Sequence, residues 1–342
     1  MAHLLALSDD VGVIQHAIED VPHRATGYCT DDIARAFIVC TERLAIVPAD
    51  RDAERLASTC LAFLCNAQLE DGRFHNFMDY DRRWLDEVGT QDSIGRAIWS
   101  LGFGMRFAAR QSWRRVCGRH LERALASIPS LTHQRAKMYA ILGLSRAVVS
   151  GDAAPAATDS LRALADDLRA ANVEYRTDGW DWFDETMTYD NARLPEALLR
   201  AGTALDDGEL VNAGLRTFAF YQSVAVRDGI YVPVGNQGWY RHGGERAIYA
   251  QQPLEATAQI DASLAALEAT GDPAFRESAN LGLRWFYGGN TLGMTLARAG
   301  GGCCDGLESY GANANMGAES TLALLAGAYA LADRPMTLQL AR

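Results

Sequence analysis

Lysine is nearly absent from this 342-residue chain: Lys137 stands alone among 32 basic residues, which face 43 acidic ones for a formal charge of −11. A protein that neutralises a phosphate backbone carries a basic face, so nucleic acid drops out as the default partner, and anionic membrane surfaces with it. No apolar run approaches the ~20 residues of a membrane-spanning helix, and Met1 to Asp10 lack the basic start and apolar stretch of a secretory leader. The expectation is a cytoplasmic protein. Proline is scarce, 9 residues against 31 glycines, and no Pro- or Ser-rich linker divides the chain. The cysteines Cys29, Cys40, Cys60, Cys65, Cys117, Cys303 and Cys304 are odd in number and lie mostly in apolar helical runs, which points to reduced thiols.

What the chain has in quantity is helical periodicity. Ile94, Ala97, Ile98, Leu101, Met105 and Ala108 keep one face apolar, as do Leu56, Cys60, Phe63, Leu64 and Ala67. Continued along the chain, this spacing predicts helices near 31–46, 52–69, 91–109, 113–126, 134–149, 157–170, 190–204, 208–225, 253–269, 273–287 and 317–332. Short turns such as Val47-Pro48-Ala49-Asp50 join them into antiparallel pairs, and long aromatic segments (70–90, 172–189, 226–251, 288–316) separate the pairs. A repeat of helical hairpins without a weak linker is one continuous array. The expectation is an all-α, single-domain (α/α)6 toroid over residues 1–342, with residues 1–26 packing over the seam. An open interaction solenoid is the structural alternative.

Polar and aromatic residues gather where the first helix of each pair begins: Gly27-Tyr28-Cys29-Thr30-Asp31-Asp32, Gly89-Thr90-Gln91-Asp92-Ser93, Trp180-Asp181-Trp182-Phe183-Asp184-Glu185, Thr188-Tyr189-Asp190-Asn191, Gln251-Gln252-Pro253-Leu254-Glu255 and Asn313 to Ser320. Helix capping alone accounts for an isolated Thr30, Asp92 or Asp190. It does not account for Tyr28, Trp180, Trp182, Tyr189, Trp239 and Tyr240 beside carboxylates and amides. Flat apolar faces next to fixed hydrogen-bonding groups suit sugars, which present C–H faces and hydroxyls together.

Gly27-Tyr28-Cys29-Thr30-Asp31-Asp32 with Ala34-Arg35, Trp182-Phe183-Asp184 with Thr188-Tyr189-Asp190-Asn191-Ala192, and Asn315-Met316-Gly317-Ala318-Glu319-Ser320-Thr321 resemble segments of a bacterial family of six-hairpin glycosidase-like proteins. The resemblance spans residues from about 3 to 330. It implies an (α/α)6 toroid whose mouth these motifs line, in a superfamily that hydrolyses, phosphorolyses or epimerises sugars. Family members stand alone or are joined to a glycosyltransferase, so it also implies a glycosyltransferase as associated partner. The chain departs from the family pattern at Ile33, in place of Asn, and at Gln91, in place of an acidic residue.

Cleaving a glycosidic bond needs a protonated carboxyl group for the leaving oxygen and an ionised carboxylate for water or direct attack. Asp31 and Asp32 are adjacent, so their side chains diverge by ~100° on a helix and one faces the cavity. Asp32 is assigned to it, with Asp31 as its partner or cap. Asp184 is the expected general acid, with Glu185 and Asp181 competing, and Asp92, Glu255 and Glu319 complete the carboxylates. Tyr28, Trp180, Trp182, Tyr189, Asp190, Asn191, Trp239, His242 and Asn315 are expected to contact an oligosaccharide substrate, with Glu319. The leading expectation is an inverting glycoside hydrolase without cofactor or metal, since adjacent Cys303-Cys304 lacks zinc spacing. The alternatives are a non-catalytic glycan-binding module, a phosphorylase using Arg241 and His242, or an epimerase using His75 and His242 for proton transfer.

Overall fold

The structure, a computed structural model, describes residues 1–332. Among these residues there are twelve α-helices: α1 (Ala2–Ala6), α2 (Thr30–Ile46), α3 (Arg51–Ala67), α4 (Gln91–Phe107), α5 (Gln111–Ala124), α6 (Gln134–Ser150), α7 (Pro155–Tyr175), α8 (Arg193–Leu205), α9 (Gly208–Ala225), α10 (Pro253–Thr270), α11 (Ala274–Phe286) and α12 (Ala318–Leu331). α1 apart, these follow the eleven helices expected from apolar spacing.

Six helices form an inner ring. α2 packs on α4, α4 on α6, α6 on α8, α8 on α10 and α10 on α12, and α12 returns to α2. α3, α5, α7, α9 and α11 each pack against the inner helix that precedes them. The short α1 lies against α12, where the His3 imidazole is hydrogen-bonded to the Met316 carbonyl at 2.8 Å. The result is an (α/α)6 toroid, and the contact of α12 with α2 decides against an open solenoid.

The two layers follow from the sequence. Outer helix α3 buries a single stripe that includes Leu56, Cys60, Phe63, Leu64 and Ala67. Inner helix α10, covered on several sides, buries every residue from Pro253 to Ala266 except Asp261. The inner helices also meet closely. A Cβ on Gly102 of α4 would lie 2.0 Å from the Gly143 carbonyl oxygen of α6, and one on Gly143 would lie 2.2 Å from the Ile98 carbonyl oxygen. Backbone therefore touches backbone along this pair.

Connections from an inner helix to its outer partner take two to four residues, whereas the returns are long. All the long returns lead into inner-helix N-termini, so they collect at one end of the toroid. Short antiparallel pairings hold them there, Tyr28–Cys29 with Phe77–Met78 and Thr186–Met187 with Tyr240–Arg241. Thr30 and Asp92, which capping could have explained, are not the caps of their helices. Cys29 Sγ accepts from the Asp32 amide to cap α2, and Thr90 caps α4. α8 begins three residues later than the spacing predicts, because Asp190 adopts a left-handed backbone conformation (φ 50°) that a right-handed helix does not admit.

Candidate active site at the mouth of the toroid

The N-termini of the inner helices and the long loops enclose a cavity of about 1890 Å³, counting the space open to solvent. Four carboxylates line it, Asp31, Asp92, Asp184 and Glu319, interleaved with Arg35, Arg96 and Arg135. Asn76, Gln91, Gln134, Asn236 and Gln252 add amides, and Phe77, Tyr189 and Trp239 add rings. Phe77 and Trp239 keep 38% and 39% of their surface exposed, which leaves apolar faces open to the cavity.

Each carboxylate is held differently. Arg35 Nη2 donates to Glu319 Oε2 at 2.7 Å and Arg35 Nη1 to Asp32 Oδ1 at 2.9 Å, joining the first turns of α12 and α2. Tyr189 Oη donates to Asp92 Oδ2 at 2.5 Å, and its ring lies 4.7 Å under the Arg135 guanidinium. Asp31 Oδ1 is 3.7 Å from Arg96 Nε, too far for a hydrogen bond, and this buried oxygen has no hydrogen-bond partner. Burial raises the Asp31 pKa above the ordinary carboxylate value, against the pull of Arg96 and Arg35. Asp184 sits on the loop between α7 and α8. Its carboxylate has no protein hydrogen bond among the described residues, while its main-chain oxygen accepts from Trp180 Nε1 at 2.9 Å.

Beneath the mouth the central bore of the toroid begins. Arg35, Arg96, Leu254 and Glu319 line both spaces and form the throat between them. Asp190 lies just below it. Tyr139 Oη donates to Asp190 Oδ2 at 2.6 Å, Arg96 Nη2 is 3.6 Å from the same oxygen, and Arg96 also hydrogen-bonds Tyr139.

Several expected site residues lie elsewhere. Of the adjacent aspartates, Asp31 faces the cavity, not Asp32, which is buried behind it between the Cys29 thiol and Arg35. Burial raises the Asp32 pKa to about 6, against the pull of Arg35. Glu255 is buried as well, taking hydrogen bonds from the Asn191 amide nitrogens and from Tyr221 Oη. Burial, then the Asp190 charge, raises its pKa to about 8. Asn191 is thus a packing partner of Glu255, with none of its own surface exposed.

Tyr28 and Trp182 are core residues, Tyr28 donating to Asp9 Oδ2 at 2.6 Å and Trp182 stacking on Tyr221. Trp180 is buried beneath the Asp184 loop, and exposed His242 stacks on its ring at 5.0 Å, outside the cavity lining. Asn315 accepts from the Glu19 amide at 2.9 Å and ties the N-terminal segment to the loop before α12. Asp181 is bound to Arg216 and Asn172, and Glu185 to Arg241, so of the three acid candidates Asp184 alone reaches the cavity. His75 stacks on Trp84 with Nδ1 turned to Asp86. Ile33 is fully buried and Gln91 fastens the start of α4 to Thr132 and His133.

Arg96, Arg135, Asn76, Gln134 and Asn236 were not expected at the site. Arg96 carried a readable signal, a charged residue among Ile94, Ala97 and Ile98 on a helix otherwise apolar on that side. The amides carried none.

The fold is the (α/α)6 toroid, which the chain shares with several solved structures. The chain is similar to a sugar epimerase from a ruminal bacterium, with a TM-score of 0.72 and 14% identity over 95% of this chain and 94% of that one. It is similar to the cellobiose 2-epimerase of Bacillus thermoamylovorans, with a TM-score of 0.75 and 10% identity over 96% and 94% of the two chains. It is also similar to an alpha-mannanase of Bacteroides thetaiotaomicron, with a TM-score of 0.60 and 10% identity over 89% and 86%. Neither a family model nor a curated protein matches the sequence.

Proposed function

We propose that the protein is a carbohydrate-active enzyme that hydrolyses a glycosidic bond, with Asp31 as general base and Asp184 as general acid. The observation that carries this reading is the Asp31 carboxylate, which is partly exposed on the wall of an open cavity and has no hydrogen bond to the protein among the described residues. A carboxylate so placed can hold and deprotonate a water molecule, and burial makes it more basic than an ordinary aspartate. Asp31 takes the role assigned to Asp32 from sequence. Asp184, on the loop above, stands where a leaving oxygen would emerge towards solvent. Asp92 and Glu319, fixed by Tyr189 and Arg35, position sugar hydroxyls, and Trp239 and Phe77 supply stacking faces.

Attack by a water molecule that one carboxylate deprotonates, on the face opposite the leaving oxygen that the other protonates, inverts the anomeric centre. An epimerase is the second reading, supported by the toroids with epimerase chemistry that the fold resembles. Against it, neither His75 nor His242, the pair expected to transfer the proton, lines the cavity, where the one lining histidine among the described residues is His133. The distinguishing experiment incubates the protein with α- and β-linked gluco-, manno-, galacto- and arabino-oligosaccharides in deuterated water, with and without phosphate. Hydrolysis gives phosphate-independent reducing ends and no carbon-bound deuterium. Interconversion of glucose- and mannose-type sugars with deuterium incorporation makes the protein an epimerase. Phosphate-dependent sugar 1-phosphate makes it a phosphorylase, and saturable binding without turnover makes it a glycan-binding module. A glycosyltransferase partner is part of the proposal only through the family resemblance.

A further inference from the structure

The three arginines of the cavity wall differ in what they meet. Arg35 pairs with Asp32 and Glu319, and Arg96 lies 3.7 Å from Asp31 and 3.6 Å from Asp190. Arg135, only 9% exposed, forms no ion pair among the described residues. Neutral groups alone hold its guanidinium: Nε donates to the Tyr189 carbonyl at 2.7 Å, Nη2 donates to Asn191 Oδ1 at 3.4 Å, and the Tyr189 ring lies 4.7 Å away. Nη1 donates to no protein group among the described residues and is not closed off from the cavity that Arg135 lines. Neither neighbouring acid supplies the missing charge. Asp92 accepts from Tyr189 Oη instead, and Glu255, which Asn191 links to Arg135, is neutral at neutral pH because burial, then the Asp190 charge, raises its pKa to about 8. The surroundings of Arg135 add positive potential. It stands in the first turn of α6, a 17-residue helix whose N-cap, His133, gives no side-chain cap. The main-chain amides of Gln134, Arg135 and Ala136 have no acceptor among the described residues, and the His133 side chain lines the same wall without a hydrogen bond there.

We infer that the α6 side of the mouth is a subsite for an oxyanion, a carboxylate or a phosphate, carried by the sugar substrate, with Arg135 as its counter-ion. This rests on the reading of the mouth as a glycan site and gives that site a charge preference. An oxyanion accepts from several donors at once, so Nη1 of Arg135 and the amides of the α6 first turn suit it together. It also neutralises the one arginine of this wall that the protein leaves unmatched. A sugar hydroxyl would take a hydrogen bond from Nη1 and leave the charge uncompensated.

The test is calorimetric binding to the full chain, wild type and Arg135→Gln. The probes are D-glucuronate and D-galacturonate with their neutral amides, D-glucose 6-phosphate and D-mannose 6-phosphate with their parent sugars, and inorganic phosphate. The expected result is saturable binding of a sugar anion and binding about 10- to 100-fold weaker of its neutral counterpart. A uronate that binds identifies the oxyanion as a carboxylate, and a sugar phosphate identifies it as a phosphate. In Arg135→Gln the anion and its neutral counterpart then bind equally. Equal binding of every such pair by the wild type would overturn the inference without recourse to the variant, as would binding of no sugar anion. Binding of inorganic phosphate alone would make this a co-substrate site and overturn it too, as would unchanged discrimination in a folded Arg135→Gln protein. The outcomes separate from those of the proposed function: selective anion binding without cleavage removes the hydrolase and keeps the subsite. Cleavage of neutral oligosaccharides at one rate by wild type and Arg135→Gln removes the subsite and keeps the hydrolase.

Discussion

Arg35 and Glu319 stand 284 positions apart in the chain and 2.7 Å apart in space, and their ion pair joins the first inner helix to the last at the rim of the cavity. The same guanidinium neutralises buried Asp32. Replacing Arg35 leaves Asp32 buried without its partner, so Arg35→Met should lose about 2–4 kcal/mol of stability. Asp32→Asn in the same chain should recover part of that loss. Urea unfolding of the two single variants and the double variant measures it, and additive losses would contradict the coupling.

Glu255 gives the protein a dependence of stability on pH with a definite sign. Its folded pKa of about 8 lies above the ordinary glutamate value of 4.5, so the native state holds a proton that the unfolded chain releases. This contribution to stability is complete below pH 4.5 and is lost as pH rises through about 8. Glu255→Gln mimics the protonated form and should flatten that decline. Melting temperatures from pH 5 to 9 should converge at the acid end and favour the variant at the alkaline end. Parallel curves would show that Glu255 is ionised throughout.

The tryptophans separate into two kinds. Trp239 is open to the cavity and should act on binding, so Trp239→Ala should raise KM about 10-fold by loss of stacking, with little change in melting temperature. Trp182 is fully buried, and Trp182→Ala should cost about 3–5 kcal/mol of stability. Steady-state kinetics and thermal melts of the two variants should therefore show opposite patterns.

Gly102 and Gly143 set the spacing of α4 and α6. An added methyl group on either would meet a backbone oxygen, which cannot rotate away. Gly143→Ala should therefore destabilise by about 1–3 kcal/mol despite alanine's better helix propensity. A thermal melt at or above that of the wild type would contradict this packing.

The toroid was legible in the sequence because its signal is periodic. The apolar stripe of Leu56, Cys60, Phe63 and Leu64, the short turns and the long aromatic returns together required paired helices, and polar clusters at one end of alternate helices required that those ends converge. The site was legible to the level of the loop and not of the side chain. Asp31 and Asp32 differ by one residue, and which of them faces the cavity depends on the register of α2, fixed by the Cys29 cap and by the Arg35 bridge. Trp180, Trp182 and Tyr28 have the composition of a sugar platform, but large rings in long loops also serve as the packing beneath them, and only tertiary burial distinguishes the two. Arg135 came from a helix whose N-terminus carries no aromatic or acidic cluster, so nothing local marked it.

The central claim is that Asp31 and Asp184 perform acid–base chemistry while Asp32 supports the fold behind them. The most direct measurement is kcat of the wild type, Asp31→Asn, Asp184→Asn and Asp32→Asn on whichever oligosaccharide is turned over, each variant first shown to be folded by its melt. The expected result is a fall of about 10²- to 10⁴-fold in kcat for Asp31→Asn and Asp184→Asn, with a smaller effect for Asp32→Asn. Near-wild-type kcat in Asp31→Asn, with activity abolished in a folded Asp32→Asn, would contradict the account.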